Sequence, residues 1–481
     1  MLFNTYTFLL LFLPATVFAF HVLTRRGLYR GAFAALMAAS LFFYGWWSLR
    51  GLALLLVLIV ANYQFTRLLI AWRNASPVGA KYLLIAGLAF NLSVLGYFKY
   101  FNFFLRQIDQ LLGTHLPVVS VVLPLGISFF TFQKIALLVD AYKGKVDRID
   151  WLEYSLFVSF FPQLIAGPIV HHSEVMPQLR SRRPVDAACI ATGLGIFSIG
   201  LAKKVLLADT LSVYVGPVFQ AANFAPVSFA DGWIAALAYT LQLYFDFSGY
   251  SDMAIGAALL FGIRLPLNFS SPYKSASIIE FWRRWHMTLS RFLRDYLYVP
   301  LGGNRHGETR RYFNLLLTML LGGLWHGAGR TFILWGMLHG AYLIANHLWR
   351  AATGGREIRA MRLLGRVLTF VAVVIGWVIF RAPNLSTAAT MLASMAGLGA
   401  SAAPPLVNIS RAAELIAVLL ALVWFAPNTQ ELTAYVPAGA PLRVFEPARH
   451  WPGLRAAAAG LLIGLSFLSL SKVTEFLYFQ F

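Results

Sequence analysis

Apolar residues run in long stretches along this chain, and the polar positions between them form short joints. Suitable runs lie near 5–22, 32–48, 51–72, 82–104, 118–141, 152–170, 188–208, 230–261, 313–328, 331–349, 364–380, 411–426 and 456–471. Each approaches the ~20 residues a helix needs to cross the hydrocarbon layer, so the pattern predicts an all-α polytopic membrane protein of about 11–13 transmembrane or re-entrant helices. Basic joints follow several runs: Arg25, Arg26 and Arg30; Arg67, Arg73 and Lys81; Arg180, Arg182 and Arg183. Alternate joints do not differ cleanly in charge, so the excess of basic residues in cytoplasmic loops gives only weak orientation. The first run, MLFNTYTFLLLFLPATVFAFHV, has no basic residue ahead of it and no small-x-small cleavage site behind it. It is expected to stay as the first span. No internal repeat and no separable soluble domain stand out, so residues 1–481 read as one integral membrane domain.

Two runs carry signals of interruption. FFPQLIAGPIVHH, residues 160–172, holds Pro162, Gly167 and Pro168, which should break a span and free backbone groups that only a cavity tolerates. PLGISFFTFQK, residues 124–134, reads similarly, with Ser128, Thr131 and Gln133 as polar points. Broken helices also serve transporters, so interruption alone does not separate the two classes.

Residues 264–311 differ from the rest. Basic and aromatic residues interleave, as in FWRRWHMTLSRFLRDYLYVPLGGNRHG. Ser277-Ile-Ile-Glu280 has the form of a capping box and predicts a helix start. Phe281, Trp285, Leu289 and Phe292 recur at helical spacing, and Pro300 with the LGGN turn should end the element. The expectation is one amphipathic helix at or just inside the cytoplasmic membrane surface.

Composition agrees with a membrane residence. Of 481 residues 59% are hydrophobic and only 12% charged, with a mean hydropathy of +0.68. A soluble chain would carry roughly twice the charge. The net charge of +20 would suggest nucleic acid in a soluble protein. Here basic loops on anionic head groups explain most of it, with a minority left for an anionic substrate. The single cysteine, Cys189, excludes an internal disulfide and any cysteine-based metal cluster.

The candidate chemistry lies in a few polar residues at membrane depth. His326 sits in LLGGLWHGAGRTFILWG, residues 320–336, among Gly322, Gly323, Gly327 and Gly329. Ionisable groups at that depth usually face a cavity and mark function. Desolvation penalises the imidazolium, so a buried ring stays neutral and can accept a proton from a hydroxyl. The glycines permit close helix packing and leave room for a substrate. The bland alternative is a core histidine bonded to a carbonyl. His286, in WRRWH beside Arg283 and Arg284, would share a helix face with Trp282. That group suits a phosphate-bearing ligand such as coenzyme A, and equally an interfacial helix whose arginines bind lipid phosphates. LQLYFDFSGYSDMAIG, residues 241–256, places Asp246 and Asp252 in an apolar run, where neutralising nearby arginines is favoured over direct catalysis.

Together these stretches resemble the membrane-bound O-acyltransferase superfamily, in its bacterial alginate O-acetyltransferase branch. PLGISFFTFQ, FFPQLIAGPI, YFDFSGYSDMAIG, FWRRWHMTLSRFLRDYLYVPLGGNR, LLGGLWHGAG and the closing EFLYFQF carry the likeness. Its core motifs span 124–381, with weaker likeness upstream. The resemblance implies tilted helices ringed around a thinned centre with a tunnel open to both faces. It implies catalytic roles for His326 and His286, and a tunnel expected at Trp325, Asp246, Ser248, Asp252, Gln163 and Asn304. It implies acetyl-CoA as cytoplasmic donor, with Arg283, Arg284 and Lys274 on its phosphates, and no permanently bound cofactor or metal. A periplasmic SGNH-hydrolase-like partner would place the acetyl group on an exopolysaccharide such as alginate, with cellulose or peptidoglycan as alternatives. The inner membrane is the expected location. Arg330 departs from the family's pattern, which expects an uncharged aromatic residue there. If the helix continues past His326, that cation lies one turn on, where it would oppose protonation of the ring or bind a donor phosphate. A proton-coupled transporter using His326, Asp246 and Asp252 is the rival class. Haem or metal ligation by His286, His326 and His339 is the third, without a supporting spacing.

Overall fold

The computed structural model describes residues 1–113, 117, 119, 121–181, 185–354, 359–399, 404–438, 452–470 and 477. Arg182, Arg183 and the closing EFLYFQF motif, except Leu477, lie outside these. Helices dominate, and no strand occurs among the described residues. Among the described residues five helices are long and apolar enough to cross a membrane: Thr7–Arg25, Leu49–Ala75, Pro77–Leu112, Ala187–Ala221 and Met361–Arg381. The remaining apolar runs fold as shorter or more polar helices, including Tyr29–Gly45, Phe229–Leu259, Gly307–His326 and Arg330–Ala352. The chain divides into two compact units, one of residues 1–201, 250–267 and 433–470, the other of 202–249, 268–432 and 471–481.

The first unit is held by aromatic packing and by amides that satisfy one another. Phe3 stacks on Tyr250 at 4.9 Å, and Phe12 meets Phe161 edge-on at 5.2 Å. Asn62 and Asn91, both buried, exchange reciprocal amide hydrogen bonds of 3.1 and 2.7 Å between two long helices. This pairing satisfies polar groups that an apolar surround would otherwise penalise.

Both interrupted runs behave as their prolines and glycines require. The 152–170 run is no single span: a helix Trp151–Ser159 stops before the one-turn Phe161–Leu164, and irregular backbone follows. Gln163 and Gln133 donate side-chain hydrogen bonds of 2.6 and 3.1 Å to the Phe157 carbonyl, replacing partners that a continuous helix would supply. Within the described stretch 121–141 the chain becomes helical only at Ile127, after Gly126 turns the backbone at φ +72°. A side chain on Gly126 would sit 2.7 Å from the Leu164 carbonyl, so the two broken segments press together.

The second unit is built around a helical hairpin, Gly307–His326 and Arg330–Ala352, packed on the helix that ends at Arg381. A Cβ added to Gly323 would fall 2.2 Å from the Phe332 carbonyl, and one on Gly336 would fall 2.4 Å from the Met319 carbonyl. Only bare backbones can approach that closely. The glycines around His326 therefore serve helix packing first. Gly327 extends this: its missing Cβ would lie 2.1 Å from the Phe332 ring.

A paired histidine centre as candidate active site

The segment from Ser277 is not one amphipathic helix. It begins as its capping box predicts, with Ser277 accepting from the Glu280 N–H, although Glu280 reaches back to the Ala276 N–H rather than to Ser277 itself. The helix runs only from Ile278 to Arg284. Trp285 is extended, His286 is left-handed at φ 42° and ψ 52°, and a second helix spans Met287–Leu293. Trp282 and His286 therefore do not share a helical face. Nor does the segment simply float at an interface, since Phe281, Trp282, Trp285, Leu289 and Phe292 are all buried in protein.

Asn268 explains the break, and no local pattern points to it. Its backbone carbonyl accepts the Met287 N–H at 2.9 Å. Its side-chain oxygen accepts the Thr288 hydroxyl at 2.9 Å and lies 3.0 Å from His286 Nδ1. An amide oxygen has no hydrogen to give, so Nδ1 carries the proton of the neutral ring and Nε2 keeps the lone pair. Phe247, edge-on at 4.8 Å, buttresses the same ring. His286 is thus a buried imidazole fixed in tautomer and orientation.

His326 is the last residue of its helix, and Gly327 leaves in extended conformation. A new helix starts at Arg330, so no continuous turn links the two residues, and Arg330 is exposed. The His326 ring is half-buried and walled by Trp325 at 4.9 Å, Trp335 at 5.2 Å and Phe380 at 5.3 Å. His286 lies 6.4 Å away between ring centroids, and its own ring is 6.1 Å from Trp325. Two imidazoles, 40 residues apart in sequence, are therefore brought together among aromatic rings. Such a site excludes water and favours neutral bases. Trp335 also abuts His339 at 4.8 Å, which is fully buried among Trp282, Trp377 and Tyr342. No group of metal-binding side chains occurs among the described residues.

The remaining candidates separate. Asp246 is buried and ion-paired at 2.6 Å with Lys204, which also holds Asp209 at 2.7 Å. The cation it neutralises is a lysine, not one of the arginines expected. Asp246 precedes Phe247 in the Phe229–Leu259 helix, so this pair fixes the residue that buttresses His286. Ser248 is buried, and its hydroxyl has no protein partner among the described residues. Asn304 is exposed in the turn after Tyr298, a turn pinned by Asn314, whose amide donates to the Gly303 carbonyl at 3.0 Å. Arg284 is engaged by Glu280 at 2.9 Å and by the Ser270 carbonyl at 3.2 Å, and Lys274 donates to the Ala426 carbonyl at 2.7 Å. Arg283 is exposed. Gln163 and Asp252, both buried, belong to the first unit.

Comparison with known proteins bears on the same residues. The family model described as MBOAT, membrane-bound O-acyltransferase family, matches residues 40–385, which include both histidines. A peptidoglycan O-acetyltransferase of Helicobacter pylori is 45% identical over 429 residues, covering 83% of this chain and 80% of that protein. A probable alginate O-acetylase of Pseudomonas aeruginosa is 43% identical over 405 residues, 83% of this chain and 75% of the relative. Its counterpart in Pseudomonas putida is 38% identical over the whole of both chains. Polytopic helices, a water-poor histidine pair and this extent of likeness converge: the chain belongs to the membrane-bound O-acyltransferase family and is a multi-pass O-acyltransferase.

Proposed function

We propose that this protein moves acetyl groups from cytoplasmic acetyl-CoA across the bacterial inner membrane, for O-acetylation of an exopolysaccharide. Alginate is the first candidate polymer, because several relatives are named as probable alginate O-acetylases. A periplasmic SGNH-hydrolase-like partner would complete delivery. The relative named as a peptidoglycan O-acetyltransferase supports a second reading, with the same chemistry serving the cell wall.

The observation that carries this reading is the 6.4 Å pairing of His326 with a tautomer-locked His286. In the step envisaged, a neutral His326 nitrogen takes the proton of the acceptor hydroxyl as its oxygen attacks the thioester carbonyl. The carbon–sulfur bond then breaks, and the departing thiolate recovers that proton from the imidazolium. The balance requires no other reagent. His286 presents a lone pair at Nε2, so while neutral it orients an N–H or O–H rather than donating to the carbonyl. The Trp325, Trp335 and Phe380 walls keep water from competing for the acetyl group.

A positioned general base contributes ~10²–10⁴-fold. His326→Gln, purified intact, should therefore lose at least about 100-fold of acetyl transfer from labelled acetyl-CoA. Transfer at the normal rate would refute the assignment. A proton-coupled transporter would show no acetyl transfer even in the parent protein.

A further inference from the structure

Three arginines converge on one histidine at the end of the hairpin opposite the paired histidines. Arg311 donates to Nδ1 of His347. Arg350 follows His347 by three residues on the same helix and so shares its face, and Arg283 lies on the short helix that packs against this one, near enough for its charge to act on the ring. Arg283 comes from the Ile278–Arg284 helix, Arg311 from the start of Gly307–His326, and His347 and Arg350 from the last turns of Arg330–Ala352. Arg283 and Arg350 are exposed, while Arg311 and His347 are half-buried. Among the described residues no acidic side chain pairs with any of these arginines, whereas neighbouring Arg284 is held by Glu280 at 2.9 Å. With its Nδ1 accepting, a neutral His347 carries its proton on Nε2. Every polar hydrogen-bonding group of the cluster is then a donor. A donor-only, like-charged cluster requires an anion with several acceptor oxygens, and phosphate is the group that guanidinium forks fit best.

Distance narrows the ligand further. Arg311 and His326 lie 15 residues apart on one helix, about 22 Å along its axis at 1.5 Å per residue. The geometry points to a phosphate seat formed by Arg283, Arg311, His347 and Arg350, which anchors an acyl donor whose long slender arm carries the thioester to His326. This assignment rests on the acetyltransferase reading above and goes beyond it, moving the phosphate contacts from Arg284 and Lys274 to a cluster on the hairpin. An anionic lipid head group offers the same chemistry, and the test separates the two sources.

Purified protein is assayed with acetyl-CoA and with the acetyl thioester of N-acetylcysteamine, which has the thioester but no phosphate. Variants are R311Q, R350Q and the double substitution, with detergent thermal unfolding as the check on folding. The expected result is that the parent prefers acetyl-CoA by at least about 100-fold in kcat/KM. Each substitution should cut that preference roughly tenfold through KM, as loss of one charge-assisted hydrogen bond to phosphate implies. An unchanged preference in the folded double variant overturns the seat while leaving the enzyme reading intact. The same holds if the variants lose flotation with phosphatidylglycerol vesicles but keep their donor preference, which would mark a lipid site. A parent protein inert with both thioesters would overturn the enzyme reading and the seat with it. If the substitutions unfold the chain, competition by 3′,5′-ADP against acetyl-CoA in the parent decides: absence of competition overturns the seat.

Discussion

Replacing Asn268 with leucine tests whether the His286 kink is what makes this centre work. The left-handed backbone at His286 costs about 1–2 kcal/mol, because its Cβ crowds the following carbonyl. Two hydrogen bonds into the Asn268 side-chain oxygen, from Thr288 at 2.9 Å and His286 Nδ1 at 3.0 Å, offset that strain. Leucine keeps the volume but strands two buried donors, at about 1–3 kcal/mol each. The loss exceeds the strain it was holding, so the imidazole should swing from its tautomer-locked position rather than wait for substrate. Acetyl transfer by Asn268→Leu should fall about 10–100-fold, one decade for each 1.4 kcal/mol of misplaced orientation. The fall should appear in kcat rather than in the KM for the donor, since Asn268 touches neither phosphate nor arm in the proposed path. Asn268→Asp, which keeps an acceptor oxygen at the same place, should recover part of the rate. Thermal unfolding in detergent separates this from collapse of the fold. If Asn268→Leu turns over normally while His286→Gln does not, the kink is not a positioning device.

Other substitutions probe the supports of the same centre. Gly336→Ala drives a methyl to 2.4 Å from the Met319 carbonyl, so detergent unfolding should show a loss of about 1–3 kcal/mol or more and poor recovery of folded protein. Lys204→Met strands the buried Asp246 and Asp209 carboxylates and should destabilise by about 3–5 kcal/mol, whereas adding Asp209→Asn and Asp246→Asn should recover most of it. Recovered stability with depressed kcat would fit the Phe247 buttress, and recovered stability with full kcat would dismiss it. His339→Leu should leave acetyl transfer within a few-fold of the parent if that ring only fills the aromatic box around Trp335, as its packing suggests. A loss on the scale of His326→Gln, with the fold intact by detergent unfolding, would overturn that packing role.

Hydropathy alone determined that this is an all-α polytopic membrane protein, because an unbroken apolar run has few other ways to satisfy its backbone in lipid. It also located the broken spans, since Pro162, Gly167 and Pro168 act through local geometry that no neighbour can undo. His326 and His286 were legible for a similar reason: an ionisable ring is conspicuous where burial penalises charge. What local pattern could not reveal was the left-handed turn at His286, because the heptad-like recurrence of Phe281, Trp285, Leu289 and Phe292 is compatible with one helix. Only Asn268, arriving from 18 positions away, selects the kink over it. The same holds for charge. WRRWH gives Arg283 and Arg284 equal standing, yet Glu280 ion-pairs with Arg284, while the charge of Arg283 acts on His347 of the hairpin. The tertiary structure decides such matters because a hydrogen bond or an ion pair depends on separation in space, which a linear pattern fixes only within a turn or two of helix.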